Sequence, residues 1–302
     1  TAGTRGASLG PEAMMVVART RNHTFFDNYP QKTVDDCNDL LDKEVLFKSA
    51  KRIRGLVQVF KSVSSKVIET FTEGGFPIVL AADHGSAGGT IAGIKKYFPG
   101  KKLGVIWIDA HGDLHTPYTT PSGNMHGMPL ATALAEDNIE SGVNEPDKEV
   151  LTLWDELKNL GGTAPKILAE DLVFIGVRDT EKEEDVIIER LNITNHTVDH
   201  LREVGVEMVV SQALDQLKNC DIIYVSFDVD SMDPAMTSHG TGTPVDNGIS
   251  PDEAEGLLVR LAKSPKLVCI EFVEINPCLD EKINKMAEVT FDLLLKTTKA
   301  LN

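Results

Sequence analysis

The stretch Leu103 to Asp113, L-G-V-I-W-I-D-A-H-G-D, carries three metal-capable side chains at alternate positions: Asp109, His111 and Asp113. In extended backbone, side chains two apart point to the same side, so carboxylate, imidazole and carboxylate are expected to face one direction. The apolar residues just before them, Val105, Ile106, Trp107 and Ile108, read as a buried strand. Taken alone, the pattern also fits a polar strand end entering a loop.

Other apolar runs end the same way. Ile78-Val79-Leu80-Ala81 leads into Asp83 and His84, Ile222 to Phe227 leads into Asp228, Asp230 and Asp233, and Val268 to Val273 leads into Glu274. Aspartate is common in turns, which accounts for any one of these. Open parallel sheets, however, place their sites at the carboxyl ends of the strands, and several strands delivering acids or histidines to one edge point to a site. Gathered together, Asp109, Asp113, Asp228 and Asp230 would bury a negative charge each, which no fold tolerates without counter-ions. Two divalent cations would neutralise them, with His84 and His111 completing the ligand set. Oxygen-rich sites with imidazole and no thiolate suit manganese, with cobalt, iron or nickel as replacements, whereas zinc more often brings thiolates or more histidine. A paired-metal site can hold a bridging water as hydroxide near neutral pH, so a hydrolase is the leading class.

These residues require a framework of alternating strands and helices. Gly10-Pro11 before Glu12-Ala13-Met14-Met15 predicts a helix opening with proline in its first turn, and the rest of residues 11–50 shows no clear pattern. Apolar spacing predicts a helix from Lys51 to Thr72, stopped by Gly74-Gly75. Strands are expected at Ile78–Ala81, Leu103–Ile108, Leu172–Gly176, Ile222–Phe227 and Leu267–Val273. Helices are expected at Gly88–Tyr97, Met128–Glu136, Glu183–Leu191, Val206–Leu217, Pro251–Ala262 and Glu281–Leu301. An acidic excursion over residues 137–166 carries a shorter helix at Leu151–Leu160. Strand-then-helix repetition predicts an α/β fold, three layers α/β/α around a mainly parallel sheet. No linker divides it, so one domain over residues 1–302 is expected. The sequence opens on Thr1 inside a loop-like stretch, and the true start, with a first strand, is expected upstream of it.

Composition narrows the partners. The net charge of −16 disfavours nucleic acid and anionic membrane and is compatible with a small cationic substrate. No apolar run reaches the length of a membrane span. The cysteines, Cys37, Cys220, Cys269 and Cys278, form no CxxC pair and read as thiols of a reducing, cytoplasmic compartment. His23, His196 and His200 read as surface residues, His239 as a loop residue beside the site, and Trp107 and Trp154 as packing residues.

The motifs together resemble the arginases of the ureohydrolase family. They are A-A-D-H-G at 81–85, D-A-H-G-D at 109–113, S-G-N-M-H-G at 122–127, S-F-D-V-D-S-M-D-P at 226–234, G-T-G-T-P at 240–244 and E-I-N-P at 274–277. They run in family order over nearly the whole chain. The resemblance implies two manganese ions, His84 and Asp113 being terminal ligands of one, His111 and Asp230 of the other, and Asp109 and Asp228 bridging both. It implies His126 as a proton shuttle to the leaving amine, and Glu274 as the partner of the substrate guanidinium, with Thr243 shaping that pocket. Thr120, Ser122 and Asn124 match the family's contacts to an α-carboxylate, which a decarboxylated substrate such as agmatine would not use. Glu181 and Glu184 fall where acids face the α-amino group.

The chain departs from the family in places. His115 stands where asparagine is usual, Glu181 where aspartate is usual, Ala81, Ala82 and Gly85 replace the usual glycines and serine, and the loop before Thr243 is one residue longer. The resulting expectation is hydrolysis of L-arginine to L-ornithine and urea by a metal-bridging hydroxide, with Asp113 accepting its hydrogen bond. The alternatives are action on formiminoglutamate, agmatine or a guanidino acid, and a non-catalytic metal-binding relative. Members of the family are commonly homo-oligomers, trimers or hexamers.

Overall fold

A computed structural model describes residues 4–301; the opening stretch expected around Thr1 lies partly outside the described residues. Its centre is a sheet of β1 (Ile78–Leu80), β2 (Leu103–Ile108), β3 (Leu172–Ile175), β4 (Thr194–His196), β5 (Ile222–Asp228) and β6 (Leu267–Val273). The six strands run in the order β1-β6-β5-β2-β3-β4, and every pairing among them is parallel. The expectation of a mainly parallel sheet thus becomes a wholly parallel one among the described residues.

The helices are α1 (Gly10–Thr20), α2 (Phe25–Asn28), α3 (Ile53–Thr72), α4 (Ala87–Tyr97), α5 (Pro129–Leu134), α6 (Lys148–Asn159), α7 (Lys182–Leu191), α8 (Val198–Val204), α9 (Val206–Gln216), α10 (Pro251–Ala262) and α11 (Lys285–Ala300). The strand period of two sorts them into layers. Ile106 and Ile108 of β2 join one apolar cluster with α1, α8, α9, α10 and α11. Val105 and Trp107 join another with α3, α4, α5 and α7. A strand buried on both faces needs apolar residues at successive positions, which is why β2 reads as an unbroken apolar run. A further cluster, with Phe60, Trp154 and Leu157, seals α6 against α3 and α5.

The helices start and stop for local reasons. Ser250 caps α10 by accepting from Glu253 N while Glu253 returns a bond to Ser250 N, a reciprocal box that closes the first turn. In α4, a Cβ at Gly89 would lie 2.8 Å from Phe60 Cα and one at Gly93 2.9 Å from Ser64 O, so the glycines let α4 lie directly on the α3 backbone. The predicted boundaries hold to within a few residues, the largest difference being the last helix, which opens at Lys285 after a loop. Missed from sequence were α2, α8 and the three-residue β4. No helix of the described residues is long and apolar enough to cross a membrane.

One histidine expected at the surface is not there. His196 is buried at the end of β4, its ring stacked 5.6 Å from that of His200. Its polar neighbours in sequence, Asn195 and Thr197, belong to the middle of β4 and to a helix cap respectively, so they did not mark exposure.

Candidate metal centre

The carboxyl ends of β1, β2, β5 and β6 supply the site. The chain leaving β1 turns at Asp83, whose side chain accepts from Gly85 N and so sets the short turn bearing His84. At the end of β5, Asp228 accepts from Asp230 N and fixes the turn that leads to Asp230. Glu274 follows β6 directly with φ 67, a left-handed conformation that is costly for glutamate.

The stretch after β2 differs from its expected geometry. Extended backbone ends at Ile108, Asp109 accepts from His111 N, and Asp113 has φ 51. Strand alternation therefore does not align Asp109, His111 and Asp113. A tight turn does, held by an isolated parallel bridge between His111 and Asp179. The side chains nonetheless converge. His84 Nδ1 lies 2.8 Å from Asp109 Oδ2, 3.2 Å from Asp113 Oδ2 and 3.2 Å from Asp228 Oδ2. His111 Nδ1 lies 3.2 Å from Asp230 Oδ2 and 3.5 Å from Asp109 Oδ1. His84, Asp109 and Asp113 form one group whose ligand atoms all lie within 4.8 Å of one another, and Asp109, His111 and Asp230 form a second. Asp109 belongs to both.

Electrostatics shows what this crowding costs without ions. Burial pushes the Asp228 carboxyl well up, and Asp230 and Asp109 push it further. Burial and Asp109 likewise raise Asp113, and burial raises Asp230. Asp109 goes the other way, because His111 and His84 outweigh its burial. Burial works against a charged His84, yet Asp109, Asp113 and Asp228 raise it well above the usual histidine range. His111 rises for the same reason, drawn by Asp230 and Asp109.

The donor set fits a metal pair. His84 Nδ1 and Asp113 Oδ2 are buried without a hydrogen-bond partner, although they face each other, which is the arrangement a shared cation resolves. The other nitrogen of His84 is held by Ser226 Oγ at 2.7 Å, and Asp109 Oδ2 accepts from Trp107 Nε1 at 2.9 Å. Trp107 also stacks on His84, ring centroids 3.8 Å apart. Such supporting contacts fix the tautomer and orientation of ligands. Sequence reasoning gave Trp107 only a packing role and missed Ser226. Each sits two residues before an aspartate of the site, and the strand period was the available signal.

Beyond the ligands, Glu274 is buried, accepts from His84 N at 3.0 Å and lies 3.4 Å from His126 Nδ1. Thr243 Oγ1 donates to Asp230 Oδ2 at 3.2 Å. His115 Nε2 pairs with Glu181 Oε2 at 3.0 Å and lies 3.6 Å from Glu184 Oε2. His115 holds Glu181 down to about 2, whereas burial pushes Glu184 up to about 8. This trio could also hold an ion by spacing alone. Its groups already have partners, however: Glu184 accepts from Leu114 N and Glu181 N and completes the cap of α7. Thr120, Ser122 and Asn124 fall in one loop, where Thr120 Oγ1 accepts from Gly123 N, Ser122 Oγ accepts from Asn124 N, and Asn124 Oδ1 accepts from Lys51 Nζ. His239 is turned outward, its ring 3.3 Å from Glu281.

Comparison with known proteins follows the same lines. The sequence profile of the arginase family matches residues 1–298. The chain is 36% identical to the arginase of Brevibacillus brevis over 298 residues, covering 96% of this chain and 91% of that one. Its fold superposes on the arginase structure from Bacillus cereus with a TM-score of 0.80 at 31% identity, covering 97% of this chain and 92% of that one. The Entamoeba histolytica arginase, solved in complex with L-ornithine, gives a TM-score of 0.78 at 26% identity, covering 100% of this chain and 94% of that one.

Proposed function

The chain belongs to the arginase family, and from that premise we propose that it hydrolyses the guanidinium group of L-arginine to L-ornithine and urea. The observation that carries the reading is the pair of ligand groups meeting at Asp109, a donor set for two cations side by side. In this reading His84 and Asp113 would hold one ion and His111 and Asp230 the other. Asp109, which belongs to both groups, and Asp228, 3.2 Å from His84, would bridge them. Manganese is the metal proposed, because the set is oxygen-rich with imidazole and no thiolate. When bound, the metal pair supplies an activated water near neutral pH and a stabilising field for the developing charge.

The remaining work falls to side chains of this chain. Glu274, a buried carboxylate beside His84, receives the substrate guanidinium through charge-assisted hydrogen bonds. Thr243 narrows the pocket next to Asp230. Asp113, buried beside His84, would hold metal through one carboxylate oxygen and accept a hydrogen bond from the attacking water through the other. His126, 3.4 Å from Glu274, delivers a proton to the departing amine, a general-acid step suited to imidazole. Thr120, Ser122 and Asn124 offer neutral polar groups to the α-carboxylate, and His115, Glu181 and Glu184 form the polar end that meets the amino-acid head.

The His115–Glu181 pair favours one second reading. Two groups that an amino-acid head would use are already bonded to each other, which keeps formiminoglutamate, agmatine and guanidino acids as rival substrates. The test is metal analysis and turnover on the same pure protein. Manganese-loaded enzyme is expected to hold two ions per chain and to release urea from L-arginine with a higher kcat/KM than from agmatine or guanidino acids. Release of formamide from formiminoglutamate at a higher kcat/KM would move the assignment to that rival, and loading without any turnover would leave a binding protein. We further infer one domain over residues 1–302 in a homo-oligomer, a trimer or hexamer by family resemblance. A cytoplasmic location is supported by the cysteines Cys37, Cys220, Cys269 and Cys278, all free thiols.

A further inference from the structure

Arg178 lies just past β3, beyond a turn at Gly176. An arginine side chain has five N–H donors in a planar fork, and here each finds a backbone carbonyl. Nε donates to Asp246 O at 3.0 Å. Nη1 donates to Gly176 O at 3.1 Å and Ser231 O at 3.3 Å, and Nη2 to Asp230 O at 3.1 Å and Val245 O at 2.7 Å. These acceptors belong to three separate segments: the end of β3, the turn carrying Asp228 and Asp230, and the loop following Thr243. The backbone of Arg178 reaches a fourth, since its N donates to Ala110 O at 2.8 Å, between Asp109 and His111.

Ordinary surface pairing does not describe this residue. Its guanidinium forms no ion pair among the described residues and spends its donors on backbone carbonyls of turns and loops, one of which, Ser231 O, also accepts from Ile249 N at 3.0 Å. Space around the fork is also closed: a Cβ on Gly248 would lie 2.6 Å from Nη2 and closer still to Ser231 O. A lysine at this position would bring three donors from a single point and could not bridge the same segments.

We propose that Arg178 is a positioning residue that locks the 243–246 loop onto the Asp228–Ser231 turn, so that Thr243 and Asp230 meet substrate and metal in fixed register. It touches neither substrate nor metal. The proposal rests on the reading of Asp230 as a ligand and Thr243 as part of the substrate pocket. Losing the fork releases the loop from the turn, and Thr243 and Asp230 move apart. The effect then appears in metal affinity and KM rather than in stability alone.

The experiment compares wild type, Arg178→Met and Arg178→Lys. Manganese affinity is measured by calorimetry, amide exchange over residues 241–249 is followed in the metal-free protein, and kcat and KM for L-arginine are taken separately. Removing a residue that orients a ligand costs about 10–100-fold in metal affinity. Both Arg178 variants are expected in that range, with faster exchange in the loop and a raised KM, and lysine is not expected to rescue them. Arg178→Lys carries the test if Arg178→Met does not fold. Wild-type manganese affinity and loop exchange in Arg178→Lys, with only a lowered melting temperature, would overturn the proposal. If wild type turns over no guanidino compound, the proposed activity fails, while affinity and exchange still decide the role of Arg178.

Discussion

Two regions bury charge in opposite ways. Under α5 and α6, Lys166 is almost fully buried, and its ammonium donates to Lys158 O at 2.6 Å, Thr132 O at 3.1 Å and Leu157 O at 3.2 Å. Nearby, Asp137 accepts from both Lys158 Nζ and Trp154 Nε1. At the carboxyl edge of the sheet, four aspartates crowd round two histidines, and buried atoms of His84 and Asp113 lack hydrogen-bond partners. Protein atoms alone complete the first region. The second needs something from outside. A buried charge that the chain satisfies is evidence of architecture, and one that it leaves wanting is evidence of a ligand.

The largest break in that contrast comes from the ligand side. Asp228→Ala should lose manganese and turnover together, by more than the ~10–100-fold that a merely supporting residue would cost. Metal analysis and urea release on the purified variant measure both. A variant that kept both ions and full turnover would show that Asp228 is no bridge. Lys166→Met serves as the contrasting control: it should leave metal content and kcat/KM as they are.

Removing the metal comes next in size. A ligand present at 100 times its Kd stabilises a fold by ~2.7 kcal/mol, so chelation should lower the melting temperature and manganese should restore it. The pH dependence should also change sign. In the metal-free protein Asp113, Asp228 and Asp230 are raised above the ordinary carboxyl value of 3.8. A raised carboxyl binds a proton in the folded state that the unfolded state has released. Its contribution is complete below the unfolded value and fades as pH rises through the folded one. His84 and His111, raised likewise, act in the same sense at higher pH, and of these six residues only Asp109, held low, opposes the others. Metal-free protein should therefore weaken from mild acid towards neutrality, whereas manganese-loaded protein should strengthen, because cations bind the deprotonated ligands. Parallel melting curves in both states over that range would contradict a metal pair in this cluster.

The same contrast shows what a sequence can reveal. Strands buried on both faces announce themselves as apolar runs, so β2, β5 and β6 were legible almost to the residue. β4 was not: Thr194, Asn195 and His196 have no apolar period, and they pair only with β3 at the sheet edge. The ligand-type residues were legible because acids and histidines after apolar runs are rare in combination. The mechanism of their convergence was not, since Asp109, His111 and Asp113 meet through a turn with Asp113 at positive φ, and tight turns obey no period. Arg178 was invisible for a different reason. Its partners are backbone carbonyls, which every residue carries, so no pattern of side chains betrays the bond.

The smallest expected effect tests the satisfied region. Burial, with Lys158 adding to it, pushes the Lys166 ammonium down to about 7 from the ordinary lysine value of 10.5. The carbonyls that receive its protons offset only part of that burial. Between those two values the unfolded chain keeps a proton that the folded chain has lost, so stability rises with pH across this window and is flat below it. Lys166→Met removes the group and with it that rise. It also takes the ammonium from three carbonyls, of which Leu157 O still accepts from Leu160 N, a cost of about 1–3 kcal/mol for an unsatisfied buried group, eased by no longer burying an ammonium. Denaturant midpoints of wild type and variant, taken at both ends of the window, isolate the lysine because all other titrating groups cancel in the difference. The gap between the two proteins should widen towards high pH while urea release stays the same. A constant gap would mean that the carbonyls hold the ammonium fully charged throughout, and satisfaction by the chain would then be even more complete under α5 and α6 than the contrast with the metal edge requires.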